Sequence, residues 1–139
     1  LATHGRVEAD GRDSFLLASD GRLGLERMSE LVATTRFRRD QPLELLTLSA
    51  CETAADDEDA ALGLAGVALR AGARSALATL WPVNDEATAR LVDTFYRELA
   101  QPGQTRAGAL RAAQQKVREQ PRFAHPGYWA AFLMISSWM

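Results

Sequence analysis

The chain has 139 residues, of which 47% are hydrophobic and 24% charged, the balance of an ordinary globular domain. That length suits one domain with a single core, so we expect residues 1–139 to form one domain. The formal net charge of −2 offers no basic surface for nucleic acid or an anionic membrane, and neither is an expected partner. No apolar run in the sequence is long enough to span a bilayer.

The single cysteine, Cys51, excludes an intramolecular disulfide and fits a reducing compartment, so we expect a cytoplasmic location. Together with His4 and His125 it provides too few soft ligands for a structural zinc, and we expect no metal. Because the first residue is Leu1 and the chain opens inside an apolar segment, we interpret the sequence as a piece of a longer protein.

The first third of the chain predicts short strands followed by a helix. Leu1–His4 is typical of the carboxyl end of a strand, stopped by Gly5. The segments Ser14–Ser19 and Leu23–Leu25 flank an Asp-Gly pair and predict a hairpin, since this pair supplies the positive φ of a tight turn. Apolar residues at helical spacing predict a helix over Glu26–Thr34.

The middle of the chain alternates buried strands with helices. Leu43–Ser49 and Ser75–Trp81 are apolar runs typical of buried parallel strands. An Ala-rich helix is predicted over Ala60–Ala71, with Gly72 at its carboxyl-terminal cap. Asn84 is predicted to cap the next long helix, whose core stripe comprises Leu91, Val92, Phe95 and Leu99.

The last third predicts another helix and a final strand. The helix begins at Thr105 and turns Leu110, Ala113 and Val117 inward, and Tyr128–Ile135 is predicted to be a strand. This alternation indicates an α/β fold with helices on the faces of a sheet.

Two reactive side chains follow predicted strands. His4 follows the first strand and Cys51 follows the Leu43–Ser49 strand, and ligand sites of α/β sheets lie beyond such carboxyl ends. An imidazole beside a thiolate can activate it or protonate a leaving amine. The backbone N–H groups of Gly5 and Cys51 could bind an oxyanion. The alternative is structural: a small buried cysteine and a histidine in a turn.

Five sequence blocks resemble the CHAT domain, a caspase-like domain often joined to tetratricopeptide repeats in bacteria. The blocks cover nearly the whole chain in the family's order, and the second and fourth are the most specific. They are Thr3-His4-Gly5, Leu48–Ala54 (LSACETA), Gly63-Leu64-Ala65 with Ala71-Gly72-Ala73, Leu80–Asp85 (LWPVND), and Tyr128–Phe132 (YWAAF).

The resemblance implies a caspase-like, mostly parallel sheet flanked by helices, with the family's N-terminal strands missing. The chain would then be the C-terminal, catalytic portion of a longer domain. His4 would be the catalytic histidine and Cys51 the nucleophile, with Gly5 and Cys51 donating the oxyanion hole and no cofactor. A protein or peptide substrate and tetratricopeptide repeats, in the same chain or a partner, are the implied partners. The Ala- and Arg-rich composition is compatible with a bacterial source.

Specificity is implied by a second similarity, to separases, in which an Asp after a Leu-Trp-x-Val stretch helps to form a basic-residue pocket. Asp85 holds that place and would select Arg or Lys at P1. The alternative is that Asp85 is simply an acidic first-turn residue of the helix capped by Asn84. Ser49 stands where caspases carry a Gln and would line the same pocket.

The sequence therefore favours a cysteine endopeptidase, with a non-catalytic interaction or signalling module on the same fold as the alternative. A nucleotide-binding domain is disfavoured because neither a phosphate-binding Gly-Lys-Ser/Thr loop nor a G-x-G-x-x-G motif follows a strand. We expect Trp81, Trp129 and Phe132 in the core and His125 on the surface.

Overall fold

The computed structural model describes residues 5–7, 15–39, 42–48, 52–53, 66 and 69–136. Over these residues the fold is mixed α/β, as predicted. The chain divides into two compact units, Leu1–Pro82 with Ile135–Met139, and Val83–Met134. Within the described ranges, no helix combines the length and apolar character needed to cross a membrane.

Seven strands lie in the described ranges: β1 (Gly5–Val7), β2 (Phe15–Ala18), β3 (Gly21–Gly24), β4 (Leu46–Leu48), β5 (Glu52–Thr53), β6 (Ser75–Thr79) and β7 (Phe132–Ser136). The α-helices described in full are α1 (Leu25–Arg39), α2 (Asp85–Leu99) and α3 (Arg106–Arg118), and 3-10 helices cover Pro121–Phe123 and Pro126–Tyr128. Of the predicted Ala60–Ala71 helix, Gly66, Leu69 and Arg70 are helical and most other positions lie outside the described ranges.

One sheet of the first unit has the order β3-β2-β1-β5. The predicted hairpin is confirmed: β2 pairs antiparallel with β3, and Ala18 lies opposite Gly21. Gly21 has a φ of 144°, a conformation that favours glycine at the close of the turn. On its other side, β2 pairs antiparallel with β1, which in turn pairs in parallel with β5.

The second sheet has the order β4-β6-β7, and β4 and β6 are parallel. Hydrogen bonds join the segment before β4 to the start of β6. The backbone N–H of Arg74 donates to Leu43 O at 2.8 Å, and the Ser75 hydroxyl donates to Glu44 O at 2.7 Å. Every residue of β6 is buried, as expected for a central parallel strand.

Helix α1 packs its apolar stripe against strands of both sheets. Met28 packs with Leu16 of β2 and Leu48 of β4. One turn further, Val32 packs with Ala73, Ala76 and Ala78. The small side chains of β6 allow this close approach of helix and strand, so α1 supplies much of the apolar core of the first unit.

The second unit is a pair of packed helices followed by the two 3-10 turns. The cap at Asn84 is as predicted, since its Oδ1 accepts from the N–H groups of Glu86 and Ala87. Thr105, predicted as the first residue of the next helix, is its N-cap, and its Oγ1 accepts from the N–H of Gly108. Both predicted stripes are confirmed in their main members, since the buried residues include Leu91, Phe95, Leu110, Ala113 and Val117. Val92 and Leu99 are half-buried.

Several predicted boundaries are wrong for identifiable reasons. Gly5 does not stop a strand but begins β1, because it pairs with Leu16 of β2. Helix α1 continues past Thr34 to Arg39, since neither Gly nor Pro interrupts it and its arginines suit a carboxyl terminus. The final strand starts only at Phe132, because the N–H groups of Trp129 and Ala130 both donate to Pro126 O.

The described ranges do not contain the predicted single, mostly parallel sheet. They hold two sheets, and of the four pairings with assigned register two are antiparallel and two parallel. The antiparallel pairs belong to the small β1-β2-β3 meander, while the strands that follow the predicted helix-strand alternation, β4 and β6, are parallel.

Candidate functional site

The predicted reactive residues His4 and Cys51, and the predicted pocket residue Ser49, lie outside the described residues. The chain that directly follows each reactive residue is described: β1 begins one residue after His4, and β5 begins one residue after Cys51. These two strands are parallel neighbours, with Arg6 opposite Glu52 and Val7 opposite Thr53. The fold therefore brings together two segments that are far apart in sequence and that each follow a predicted reactive residue.

Gly5, the predicted oxyanion-hole donor, is the first residue of β1 and lies opposite Leu16 of β2. It is thus held in the strand between β2 and β5. Gly5 directly follows His4 in the chain. The role of the Gly5 N–H in binding an oxyanion stays a prediction.

A second group of strand ends lies in the other sheet of the first unit. The last described pair of β4 and β6 joins Leu48 to Ala78, and β6 ends one residue later at Thr79. Thr79 is 4% exposed. Sequence analysis did not single out this threonine; the available signal was a hydroxyl residue at the end of an otherwise apolar strand.

Asp85, the predicted specificity residue, is the first residue of α2 and is exposed. Its predicted position at the helix terminus is confirmed: Asn84 caps α2, and Asp85 and Glu86 are the acidic residues of its first turn. Its role in substrate selection stays a prediction. The two carboxylates differ in their partners. Glu86 binds Arg90 at 3.1 Å and Arg122 at 2.6 Å, whereas Asp85 forms no ion pair among the described residues.

The burial of three aromatic residues and of the second histidine can be compared with the predictions. Phe132 is buried, which confirms its core prediction, while Trp81 and Trp129 are only half-buried. The Trp129 indole N–H donates to Ala124 O at 3.3 Å. His125 is exposed, as predicted, and its Nδ1 accepts from the N–H of Gly127 at 3.1 Å, capping a 3-10 helix.

No group of three or more His, Cys, Asp or Glu side chains that could hold a metal ion occurs among the residues that the structure describes.

Comparison with known families decides the identity of this arrangement. The model of the CHAT domain matches residues 1–137, a range that includes all five sequence blocks. The chain belongs to the CHAT domain family. Family membership suggests the caspase-like peptidase family, and the match covers the whole second unit and all but the last two residues of the first.

Two curated relatives are tetratricopeptide repeat proteins. This CHAT-domain chain is 35% identical over 79 residues to Tetratricopeptide repeat protein 28 of Homo sapiens and, to the same extent, of Mus musculus. The match covers 57% of this chain but only 3% of each relative's length. The association with tetratricopeptide repeats is consistent with the resemblance, while these mammalian relatives do not support a bacterial source.

Proposed function

We propose that this CHAT-domain chain is a caspase-like cysteine endopeptidase, with Cys51 as nucleophile and His4 as general base and acid. The observation that carries the proposal is the parallel pairing of β1 with β5, the strands that directly follow these two residues in the chain. Connectivity keeps the segments near each other: Arg6, two residues after His4, lies opposite Glu52, the residue after Cys51. Such a pairing is what a dyad drawn from two distant segments needs.

In the proposed reaction the Cys51 thiolate attacks the carbonyl carbon of the scissile peptide bond. The backbone N–H groups of Gly5 and Cys51 donate to the oxyanion of the tetrahedral intermediate. His4 protonates the leaving amine, which departs and leaves an acyl-enzyme. His4 then takes a proton from water, which hydrolyses the thioester and restores the thiolate. This chemistry requires neither a metal nor an organic cofactor.

The test uses the fact that the chain contains one cysteine, so that alkylation reports on Cys51 alone. Cleavage of a peptide library and the rate of alkylation by iodoacetamide are measured for the wild type, Cys51→Ala and His4→Ala. We expect each substitution to lower cleavage by at least about a thousandfold, because nucleophile and base act as a unit. His4→Ala should also slow alkylation, since the thiolate loses its partner.

The matched control is His125→Ala, which removes the other histidine, an exposed residue of a 3-10 cap. It should leave cleavage and alkylation at wild-type rates. Wild-type protein that cleaves nothing, and whose Cys51 is alkylated at the same rate with and without His4, would contradict the dyad.

We propose further that Asp85 selects Arg or Lys at P1, with Ser49 lining the same pocket. The support is chemical: the Asp85 carboxylate is exposed and has no ionic partner among the described residues, so it is available to a cationic side chain. Asp85→Asn should remove the preference for basic P1 residues in a positional peptide scan. Glu86→Gln is the control, because Glu86 is engaged by Arg90 and Arg122 and its loss should leave P1 preference unchanged.

A wild-type preference for acidic or apolar P1 residues would contradict the role of Asp85 without contradicting the dyad. Asn is chosen because it keeps the size of the side chain and its place in the first turn of α2, so that a change in preference reports the lost charge.

The second candidate function is a partner-regulated or non-catalytic signalling module on the same fold. It is favoured by the relatives, in which the matched segment is 3% of a tetratricopeptide repeat protein. Binding of a partner that persists in Cys51→Ala, combined with no cleavage by the wild type, would select this function. Caspase-like topology, a single CHAT domain over residues 1–139 and a cytoplasmic location all remain part of the proposal.

A further inference from the structure

We infer that Arg122 is a specificity-determining residue that restricts the proposed P1 site to a single basic substrate residue. Its guanidinium occupies the Glu86 carboxylate, so that Asp85 alone is left to bind a cation at the start of α2. This inference rests on the proposed function and adds to it a class of substrate: peptides with one Arg or Lys at the cleavage site, as opposed to peptides with two. The residues that carry it all lie in the second unit.

The first argument is that both carboxylate oxygens of Glu86 are engaged by arginines. Oε1 accepts from Arg90 Nη2 at 3.1 Å and from Arg90 Nε at 3.3 Å, and Oε2 lies 2.6 Å from Arg122 Nη1. Asp85, the preceding residue, is exposed and forms no ion pair among the residues that the structure describes. The two carboxylates of this turn therefore differ: arginines neutralise one, and the other is open to a cation.

The second argument is the different origin of the two arginines. Arg90 is one helical turn further along α2, and a pair at this spacing forms within the helix itself. Arg122 comes from the 3-10 turn Pro121–Phe123, which follows α3. That turn is anchored, because Phe123 is 2% exposed. The fold of the second unit, and not the local sequence of α2, thus brings Arg122 to Glu86.

The third argument is the exposure of the Arg122–Glu86 pair. The two side chains are 70% and 40% exposed, and exposed ion pairs contribute little to stability. We therefore assign the pair a role in specificity and none in holding the fold. The strength of such a pair corresponds to a factor of up to about five in affinity, which is the size of effect that an experiment should detect.

A second basic substrate residue would need the Glu86 carboxylate. Consecutive Cα atoms are about 3.8 Å apart, so two long cationic side chains of one peptide could reach Asp85 and Glu86 together. While Arg122 holds Glu86, the second substrate cation meets a guanidinium in place of a free carboxylate, and like charges repel. Removal of the Arg122 charge should therefore create a second cation site beside Asp85.

A set of variants separates the contact of Arg122 from its charge. Arg122→Gln frees Glu86 Oε2, Arg122→Lys keeps a cation, and a double variant combines Arg122→Gln with Glu86→Gln. Arg118→Gln is the matched control, because it removes the same charge from a residue whose guanidinium lies 6.0 Å from the centroid of the Trp129 ring. A thermal midpoint verifies that each variant is folded.

The measurement is the cleavage of two peptide series with Arg at P1, one of which carries a second Arg at P2 or P3. The wild type should prefer the single-Arg peptides. Arg122→Gln should raise the ratio of kcat/KM for double-Arg over single-Arg peptides by about two- to fivefold, through KM and with kcat unchanged, since the freed carboxylate only binds. Arg122→Lys and Arg118→Gln should keep the wild-type ratio, and the double variant should lose the gain.

Two kinds of failure are distinguishable. A wild-type ratio in Arg122→Gln, or a gain that persists in the double variant, would overturn the inference and leave the proposed peptidase intact. A wild type that prefers acidic or apolar P1 residues would contradict the role of Asp85, and the inference with it. If the wild type cleaves no peptide, the proposed peptidase fails, and binding of the same peptides, labelled and followed by fluorescence anisotropy, decides the role of Arg122 by the same ratios.

Discussion

The contacts within the first unit and those within the second differ in sequence range. In the first unit, strands from distant segments pair with each other, as β1 does with β5 and β4 with β6. In the second unit, α2 and α3 are consecutive, each begins at its own side-chain cap, and each packs against its neighbour in the chain. The first unit thus depends on long-range register, and the second on local signals.

This difference separates the chemistry from the scaffold. His4, Cys51 and Ser49 belong by sequence to the first unit, whereas Asp85 starts the first helix of the second. A substitution in the core of α2 should therefore act on the stability of the second unit, while the dyad variants should act on chemistry. Predictions about the two helices test how far this separation holds.

The largest expected stability effect is that of Phe95→Ala. Phe95 is 0% exposed in α2, and its ring meets the Tyr96 ring edge-on with centroids 5.2 Å apart. We expect the free energy of unfolding to fall by about 3–5 kcal/mol, the usual cost of removing a buried Phe side chain. Denaturant titration measures the total loss. Hydrogen exchange should accelerate more for the amides of α2 and α3 than for those of β4 and β6.

Tyr96→Ala is the control for Phe95→Ala, because it removes the same ring contact from a side chain that is 46% exposed. Its loss should be about 0.5–1.5 kcal/mol, the size of an aromatic pair contribution. Equal acceleration of exchange in both units by Phe95→Ala would mean that the two units unfold together as one cooperative structure.

The same difference decides what the sequence could predict. The second unit follows from local rules: Asn84 and Thr105 are residues that cap helices, and the spacing of Leu91 and Phe95 marks the buried face. The late start of β7 at Phe132 was missed because it depends on a turn centred on Pro126, whose carbonyl accepts from two N–H groups.

In the first unit, local rules predicted the hairpin, because an Asp-Gly pair determines its own turn. They could not predict the pairing of β1 with β5, since strands of two and three residues are too short for their hydrophobic pattern to indicate a partner strand. The predicted strand end at Gly5 is wrong for the same reason, since its partner, Leu16, comes from another segment of the chain. The catalytic roles of His4 and Cys51 are implied by the family resemblance. The structure adds that the segments following these two residues, β1 and β5, are neighbouring parallel strands.

The smallest expected effect is that of Asn84→Ala. Asn84 Oδ1 accepts from the N–H of Glu86 at 3.1 Å and from that of Ala87 at 3.2 Å, and alanine would leave both donors without this acceptor. We expect a loss of about 1 kcal/mol in the free energy of unfolding, the typical cost of removing an N-cap. Denaturant titration at constant protein concentration measures it.

Asn84→Ser is the matched control, because serine caps helices about as well as asparagine and should recover most of the loss. Thr105→Ala gives a second comparison within the same unit: its hydroxyl accepts from a single N–H, that of Gly108 at 3.0 Å. If the two alanine variants lose equal stability, the second hydrogen bond to Asn84 contributes nothing measurable. A loss at Asn84 that is larger and that also weakens the P1 preference would tie the cap to Asp85, because the residue that fixes the start of α2 would then also orient the carboxylate proposed to read the substrate.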